Sequence, residues 1–250
     1  QQSYESTLMP LLKEYGRSPI EILTRQALQE YLNSLTEISY TTHHRHQAII
    51  QALFNFAVEQ GHIKANPIAQ LKRRKPDQAK GEYTTDTIIR YLTSEQLVAL
   101  YRVVASDLRM NALVHLLHRT GARISEVLAL DLSSIHLEQR KFQVIGKGNK
   151  QRWCFYSEDT AQALERYIHY DRHPNCPALF TAQQPFTLAV SRLSYRTVHQ
   201  TWTDLTSQEP LLDGIRIHDL RHTFATERVG LMGIEELRAL MGHQNIQTTL

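Results

Sequence analysis

Cysteine is nearly absent. Cys154 and Cys176 are the only two in 250 residues, too few for a disulfide framework and too isolated for a thiolate metal site, so redox chemistry has no support. Long apolar runs are missing as well: no stretch of about 18 uncharged apolar residues exists to span a bilayer. The polar start Gln1-Gln2-Ser3-Tyr4-Glu5 has neither the basic region nor the apolar core of a secretory signal. A soluble, cytoplasmic protein with no membrane partner is expected. An initiator methionine is lacking too, which points to a fragment or a processed product. Nor does one sign of charge dominate: 28 Lys/Arg against 25 Asp/Glu leave +3, with 11 against 9 over residues 1–90 and 17 against 16 over 91–250. A total this small does not single out a nucleic-acid binder, whose basic footprint is a patch and not a sum.

What is present is the 42% apolar, 21% charged composition of a globular chain, at a length that suits one or two domains. One basic patch stands out. Lys72-Arg73-Arg74-Lys75 is followed by Pro76 and the polar stretch Asp77-Gln78-Ala79-Lys80-Gly81, either a solvated linker or one that lies along phosphates. Before it the pattern is helical: Tyr4 to Tyr15, a helix opened by Ser18-Pro19, a long one from Thr41 or Thr42 to Gly61, and a short one from Asn66-Pro67 into the basic run. That makes a bundle of about four helices. In His43-His44-Arg45-His46 only His43 and His46 could converge on a metal, and a polar surface with one outward Arg is preferred, so no metal is assigned.

After the linker, Thr93 caps a helix, and a second runs from Leu108 to His118 and ends at Thr120-Gly121. The period then shortens: residues 134–137, 141–145 and 152–156 predict a three-stranded antiparallel sheet around the turn Gly146-Lys147-Gly148-Asn149-Lys150. Helices return over 158–170, 191–205, 218–229 and 234–241. The fold class expected is mostly α with a small antiparallel β-sheet.

Four segments carry cationic or imidazole side chains at element edges: Thr120-Gly121-Ala122-Arg123-Ile124-Ser125-Glu126, the Gly146–Lys150 turn, His218-Asp219-Leu220-Arg221-His222, and Met241-Gly242-His243. Singly each is weak. Together they supply two Arg, a Lys and two His, the inventory that grips a phosphodiester and moves protons around it without a metal: guanidinium forks suit nonbridging oxygens and the charge that grows on them.

These four ordered boxes resemble the tyrosine recombinases of the phage integrase family, in the style of the Xer-type enzymes. Thr120 to Leu130 resembles the first arginine box, Val144 to Lys150 the lysine hairpin, His218 to Thr226 the His-x-x-Arg box, and Met241-Gly242-His243 the Leu-Gly-His segment. The resemblance implies a helical core-binding domain at residues 1–76, a linker at 77–90 and an α+β catalytic domain at 91–250, closing as a clamp on duplex DNA. It implies that Arg123 and Arg221 clamp the scissile phosphate, that Lys147 protonates the leaving 5′ oxygen, that His218 assists proton transfer, that His243 hydrogen-bonds the phosphate, and that Glu126 orients the clamp. It implies no cofactor, double-stranded DNA with inverted half-sites as partner, and a tetramer on two DNA sites. For DNA contacts, Thr42, Arg45 and His46 in the long helix, Lys72, Arg73, Arg74 and Lys75 in the linker, and some of Ser191–Arg196 are the candidates.

One departure matters. The family's nucleophilic tyrosine lies past the last His box, and none of the 11 tyrosines here follows His243; the expectation is a chain that binds DNA and assembles a phosphate site but does not cleave. Three rivals remain. A DNA-binding protein on a recombinase scaffold without catalysis is the alternative, and a type IB topoisomerase has similar phosphate chemistry. A zinc hydrolase would use His218 and His222 in imitation of His-Glu-x-x-His, with Glu235 or Glu236 as third ligand, but Asp219 is short for the base and Arg221 would repel the ion.

Overall fold

A computed structural model describes residues 2–82, 90–145 and 151–242, and the chain divides into two compact units, Gln1–Ile88 and Ile89–Leu250. The first contains α1 (Gln2–Tyr15), α2 (Arg25–Ser34) and α3 (Tyr40–Glu59), packed around Leu11, Leu28, Tyr31, Leu32, Ile50, Phe54 and Ile68. Two expected helices differ. The one opened by Ser18-Pro19 is a single 3-10 turn, Ile20–Ile22, after which α2 starts anew because the Thr24 hydroxyl accepts from Ala27 N at 3.2 Å and makes a fresh N-cap. The short helix after Asn66-Pro67 is absent: the Asn66 side chain donates to Gln51 O and Asn55 Oδ1 and accepts from Ile68 N, holding a turn where a helix was expected. The first unit therefore has three α-helices among its described residues, not four.

α3 begins at Ser39, whose hydroxyl accepts from Thr42 N, slightly ahead of the expected start. Its inner stripe includes His43, 3% exposed, with Nε2 paired to Leu32 O at 2.9 Å. The polar surface expected for the His cluster is thus wrong at His43, which is a core residue.

In the second unit α5 (Leu108–Thr120) is the axis, burying Met110, Leu113, Leu116 and Leu117 among others and packing against α4 (Ser94–Val104), α7 (Glu158–Tyr170) and α9 (Asp219–Thr226). Thr93 and Gln96 form the capping box of α4. After the short α6 (Ile124–Leu128) the expected sheet is found: β1 (Ile135–His136), β2 (Lys141–Ile145) and β3 (Gln151–Phe155), antiparallel in that order, with Phe142 opposite Cys154 and Val144 opposite Arg152. Residues 190–192, expected to lie near the start of a helix, instead form β5 (Val190–Arg192), paired with β4 (Thr181–Gln183). Helix α8 (Tyr195–Thr206) starts only at the Ser194 cap. α10 (Ile234–Met241) completes the described part. No helix among the described residues is long and apolar enough to cross a membrane.

Candidate active site

The site is organised by the end of α5. Gly121 terminates that helix in the left-handed region, φ 61°, and a Cβ there would lie 2.4 Å from Phe224 Cδ1 on α9. Only glycine permits both the turn and the approach of the α9 ring. Behind the ring, the Arg228 guanidinium stacks at 3.7 Å from its centroid. The first turn of α6 follows at once, and Glu126, at its third position, reaches back: its carboxylate accepts from Arg123 N at 2.7 Å and from Arg123 Nη1 at 3.0 Å.

Glu126 is also held from the sheet. Arg152 of β3 donates to both its oxygens, at 2.9 and 2.7 Å, and its Nε donates to Leu240 O at 3.0 Å. Arg221 of α9, 4% exposed, donates to Gly121 O and, at 2.6 Å, to Met241 O. Arg123 Nη2 reaches Gly242 O at 3.4 Å. Three consecutive carbonyls at the C-terminus of α10, those of Leu240, Met241 and Gly242, are thus each taken by a different arginine. The helix end carries partial negative charge, and the guanidiniums satisfy carbonyls that have no partner within the helix. Gly242 makes this possible: its φ is 64°, and a Cβ would sit 2.9 Å from Arg152 Nη1.

Two guanidiniums therefore hold one carboxylate, and a third, that of Arg221, is near enough to feel its charge. Burial alone would raise the pKa of Glu126, but the Arg152 fork and the bonds from Arg123 outweigh it and hold the carboxyl below its usual range. Burial, then the charges of Arg123 and Arg152, push Arg221 down to about 10, still well above neutral pH, so it stays cationic. The excess of positive charge among these groups is what an anion site needs. Cys154, below them in β3, is pushed up to about 11 by burial and is a neutral thiol.

His218 occupies the N-cap position of α9, exposed, and partial burial followed by the charges of His222 and Arg221 lowers its pKa, with Asp219 opposing. Its ring lies 5.2 Å from that of His222. A cleft of about 760 Å³ runs from it along α8, lined by Tyr195, His199, Trp202 and Arg216 among others. Asp219, 1% exposed, is occupied by Arg216, whose backbone N and guanidinium both bind it. This takes away the base that the zinc reading needs, and no group of three His, Cys, Asp or Glu side chains among the described residues is placed to hold a metal.

Of the residues singled out in the sequence, Arg123, Glu126 and Arg221 meet, and His218 lies on the same helix as Arg221. Lys147 and His243 lie outside the described residues; their neighbours Ile145 and Gln151 pair across β2 and β3, and Gly242 carries one of the three carbonyls. In the first unit Thr42 is half-buried against Ser39 and Arg45 is exposed. His46 is half-buried, with Nδ1 enclosed and without a hydrogen-bond partner among the described residues. Lys72, Arg73 and Lys75 are exposed, whereas Arg74 is ion-paired to Glu82. Within Ser191–Arg196, Arg192 is committed to Leu128 O, Leu130 O and Asp131, while Tyr195 and Arg196 face solvent. Arg152 was missed. Its signal was a charged residue in the core-facing phase of a strand, alternating with Cys154 and Tyr156, five residues past Lys147.

Residues 90–250 match the model of the phage integrase family. Tyrosine recombinase XerC of Haemophilus influenzae is 30% identical over 210 residues, 80% of this chain; the chain spans 65% of the length of that relative. Among solved structures, the Tn1549 transposon integrase in complex with circular intermediate DNA is similar with a TM-score of 0.71 at 21% identity, covering 98% of this chain and 86% of that one. The XerH site-specific recombinase bound to palindromic difH substrate, a post-cleavage complex, gives 0.73 at 19% identity, covering 99% and 74%. These last two speak for the fold. With the family's model matched from residue 90 onward, and the two arginine boxes joined at the end of α10, the chain belongs to the phage integrase family.

Proposed function

We propose that this chain acts in tyrosine-type site-specific recombination, binding DNA and holding the scissile phosphate as strands are cut and rejoined. The observation that supports it best is the joint anchoring of Arg123, Arg152 and Arg221 on three successive carbonyls of α10, which presents cationic forks from distant parts of the chain at one place. Arg123 and Arg221 hold the nonbridging oxygens of the scissile phosphate and stabilise the added negative charge of a pentacoordinate transition state. Lys147 gives its proton to the 5′ oxygen as the P–O5′ bond breaks, and His218 receives the proton of the attacking tyrosine hydroxyl as the 3′-phosphotyrosyl bond forms. His243 donates to a phosphate oxygen, and Glu126, fixed by Arg152, orients Arg123. Diester bond energy is kept in the covalent intermediate, so rejoining needs only attack by a 5′ hydroxyl, with no nucleotide cofactor.

Residues 1–76 grip the duplex through α3 and the basic run, and residues 91–250 hold the phosphate, with 77–90 between them. The inverted half-sites and the tetramer on two DNA sites that the family resemblance implies are proposed for this chain too, as is a cytoplasmic location. The test is duplex binding by the 250-residue chain across a salt series. Affinity falling steeply with salt is expected. Absence of duplex binding at low salt overturns the reading. Retained binding in an extended chain carrying a downstream tyrosine, with no adduct, would favour the non-catalytic scaffold.

A further inference from the structure

The basic run is not presented evenly, and the reason lies in the first unit alone. Residues 69–74 follow α3 with no sheet partner among the described residues, and α3 supplies what a neighbouring strand would: Gln51 Nε2 donates to Ala69 O at 3.0 Å, Gln47 Nε2 to Leu71 O at 2.8 Å, and His44 Nε2 pairs with Arg74 O at 3.0 Å. Positions 44, 47 and 51 share one helix face, so the segment is strapped down at three points. The strap ends in a closed loop. Glu82 N donates to Asp77 O, and Asp77 N donates back to Glu82 Oε2, both at 3.0 Å. Gly81, at φ 68°, makes the reversal.

The Glu82 carboxylate then faces inward. It accepts from the backbone N of Tyr40, the first residue of α3, at 2.8 Å and from Arg74 Nη2 at 2.7 and 2.9 Å. The side chains of Arg74 and Glu82 are 27% and 13% exposed, while Lys72, Arg73 and Lys75 stand in solvent. Arg74 Nε is buried without a hydrogen-bond partner among the described residues. An arginine left with a dry donor is held in by its carboxylate and not by a satisfied pocket. Removing the charge of Glu82 leaves little to oppose its escape to water or to a phosphate.

We propose that Glu82 is a latch that withdraws Arg74 from the basic run and fixes where the connecting segment leaves the helical unit, so that DNA phosphates meet Lys72, Arg73 and Lys75 but not Arg74. This rests on the reading of the chain as a DNA binder, and it singles out Arg74 among the four side chains that the sequence offered as DNA contacts.

The experiment is the slope of log K against log salt for the 250-residue chain on one duplex, with four variants. Each phosphate contact contributes about 0.9 to that slope. Arg73→Met is expected to lower its magnitude by about 0.9, and Arg74→Met to leave it unchanged. Glu82→Gln is expected to raise both affinity and slope, the slope by about 0.9, and the rise is expected to vanish in Glu82→Gln/Arg74→Met. A gain of affinity is not something misfolding imitates, so Glu82→Gln carries the test even if Arg74→Met folds poorly. A normal wild-type slope with Arg74→Met matching Arg73→Met, or with no gain from Glu82→Gln, overturns the latch and leaves DNA binding standing. A wild-type slope near zero overturns DNA binding itself, and the latch with it.

Discussion

Replacing Arg152 by methionine isolates the contact that joins the sheet to the arginine boxes. The substitution keeps the aliphatic stem and removes two bonds to Glu126 and one to Leu240 O. Side-chain exposures of 12% for Arg152 and 7% for Glu126 leave the pair largely out of solvent, where loss of one partner costs about 3–5 kcal/mol because the other is left charged and poorly solvated. Arg123 remains on Glu126, which brings the expected loss to about 2–4 kcal/mol, or roughly 4–16 °C in Tm for a unit of this size. Both tryptophans, Trp153 and Trp202, lie in the second unit, so their fluorescence in a urea titration reports that unit without interference from the first. Glu126→Leu in the Arg152→Met background removes the stranded charge, and the double variant should recover part of the loss, a coupling of at least about 1 kcal/mol. A loss below about 1 kcal/mol in the single variant, or strict additivity in the double, would refute the buried-pair argument.

Other outcomes follow from the same geometry. Gly121→Ala forces a side chain into the left-handed region and against Phe224. It should cost about 2–4 kcal/mol in the urea titration, and Phe224→Leu should return only the steric part. Burial holds His115, His118, His218 and His222 below their ordinary pKa. Groups depressed in the fold contribute stability that is fully present above about pH 6.5 and lost as pH falls through their folded values. The urea midpoint should therefore be flat from pH 7 to 8 and drop below 6.5, least so in His118→Gln; a midpoint that climbs on acidification would contradict this. Cys154 is buried with a thiol near pKa 11, while Cys176 is half-exposed. A thiol reagent at pH 8 should modify one cysteine in the native protein and two in urea, and rapid double labelling of native protein would count against the packing beneath the arginines.

The elements that sequence alone revealed were those with local signals. Thr93 and Gln96 mark α4, Gly121 marks the end of α5, and the alternation of residues 141–155 gives the sheet. Arg123 and Glu126 are three apart at a helix start, so their pairing is a local matter as well. What was hidden depends on contacts across the chain. Arg152 joins Glu126 only through the register that sets it opposite Val144, and its carbonyl acceptor lies 88 residues away. His43 belongs to the stripe of Gln47, Ile50, Phe54 and Ala57, yet two polar residues at the head of that stripe disguised it as surface. Thr24 and Asn66 chose local side-chain bonds over the helices that the apolar pattern favoured. Arg74 could not be told from its three basic neighbours without Glu82 in place.

The proposed function requires Arg123 and Arg221 to act on one phosphate of the duplex. Its most direct measurement is a methylphosphonate scan, in which each phosphate of a bound duplex in turn loses its charge, repeated with Arg123→Met and Arg221→Met. One position should be costliest for the wild-type chain, and at that position alone both variants should show little further loss, a coupling of about 1.5–3 kcal/mol for each. Coupling of the two arginines to different phosphates, or to none, would contradict the account.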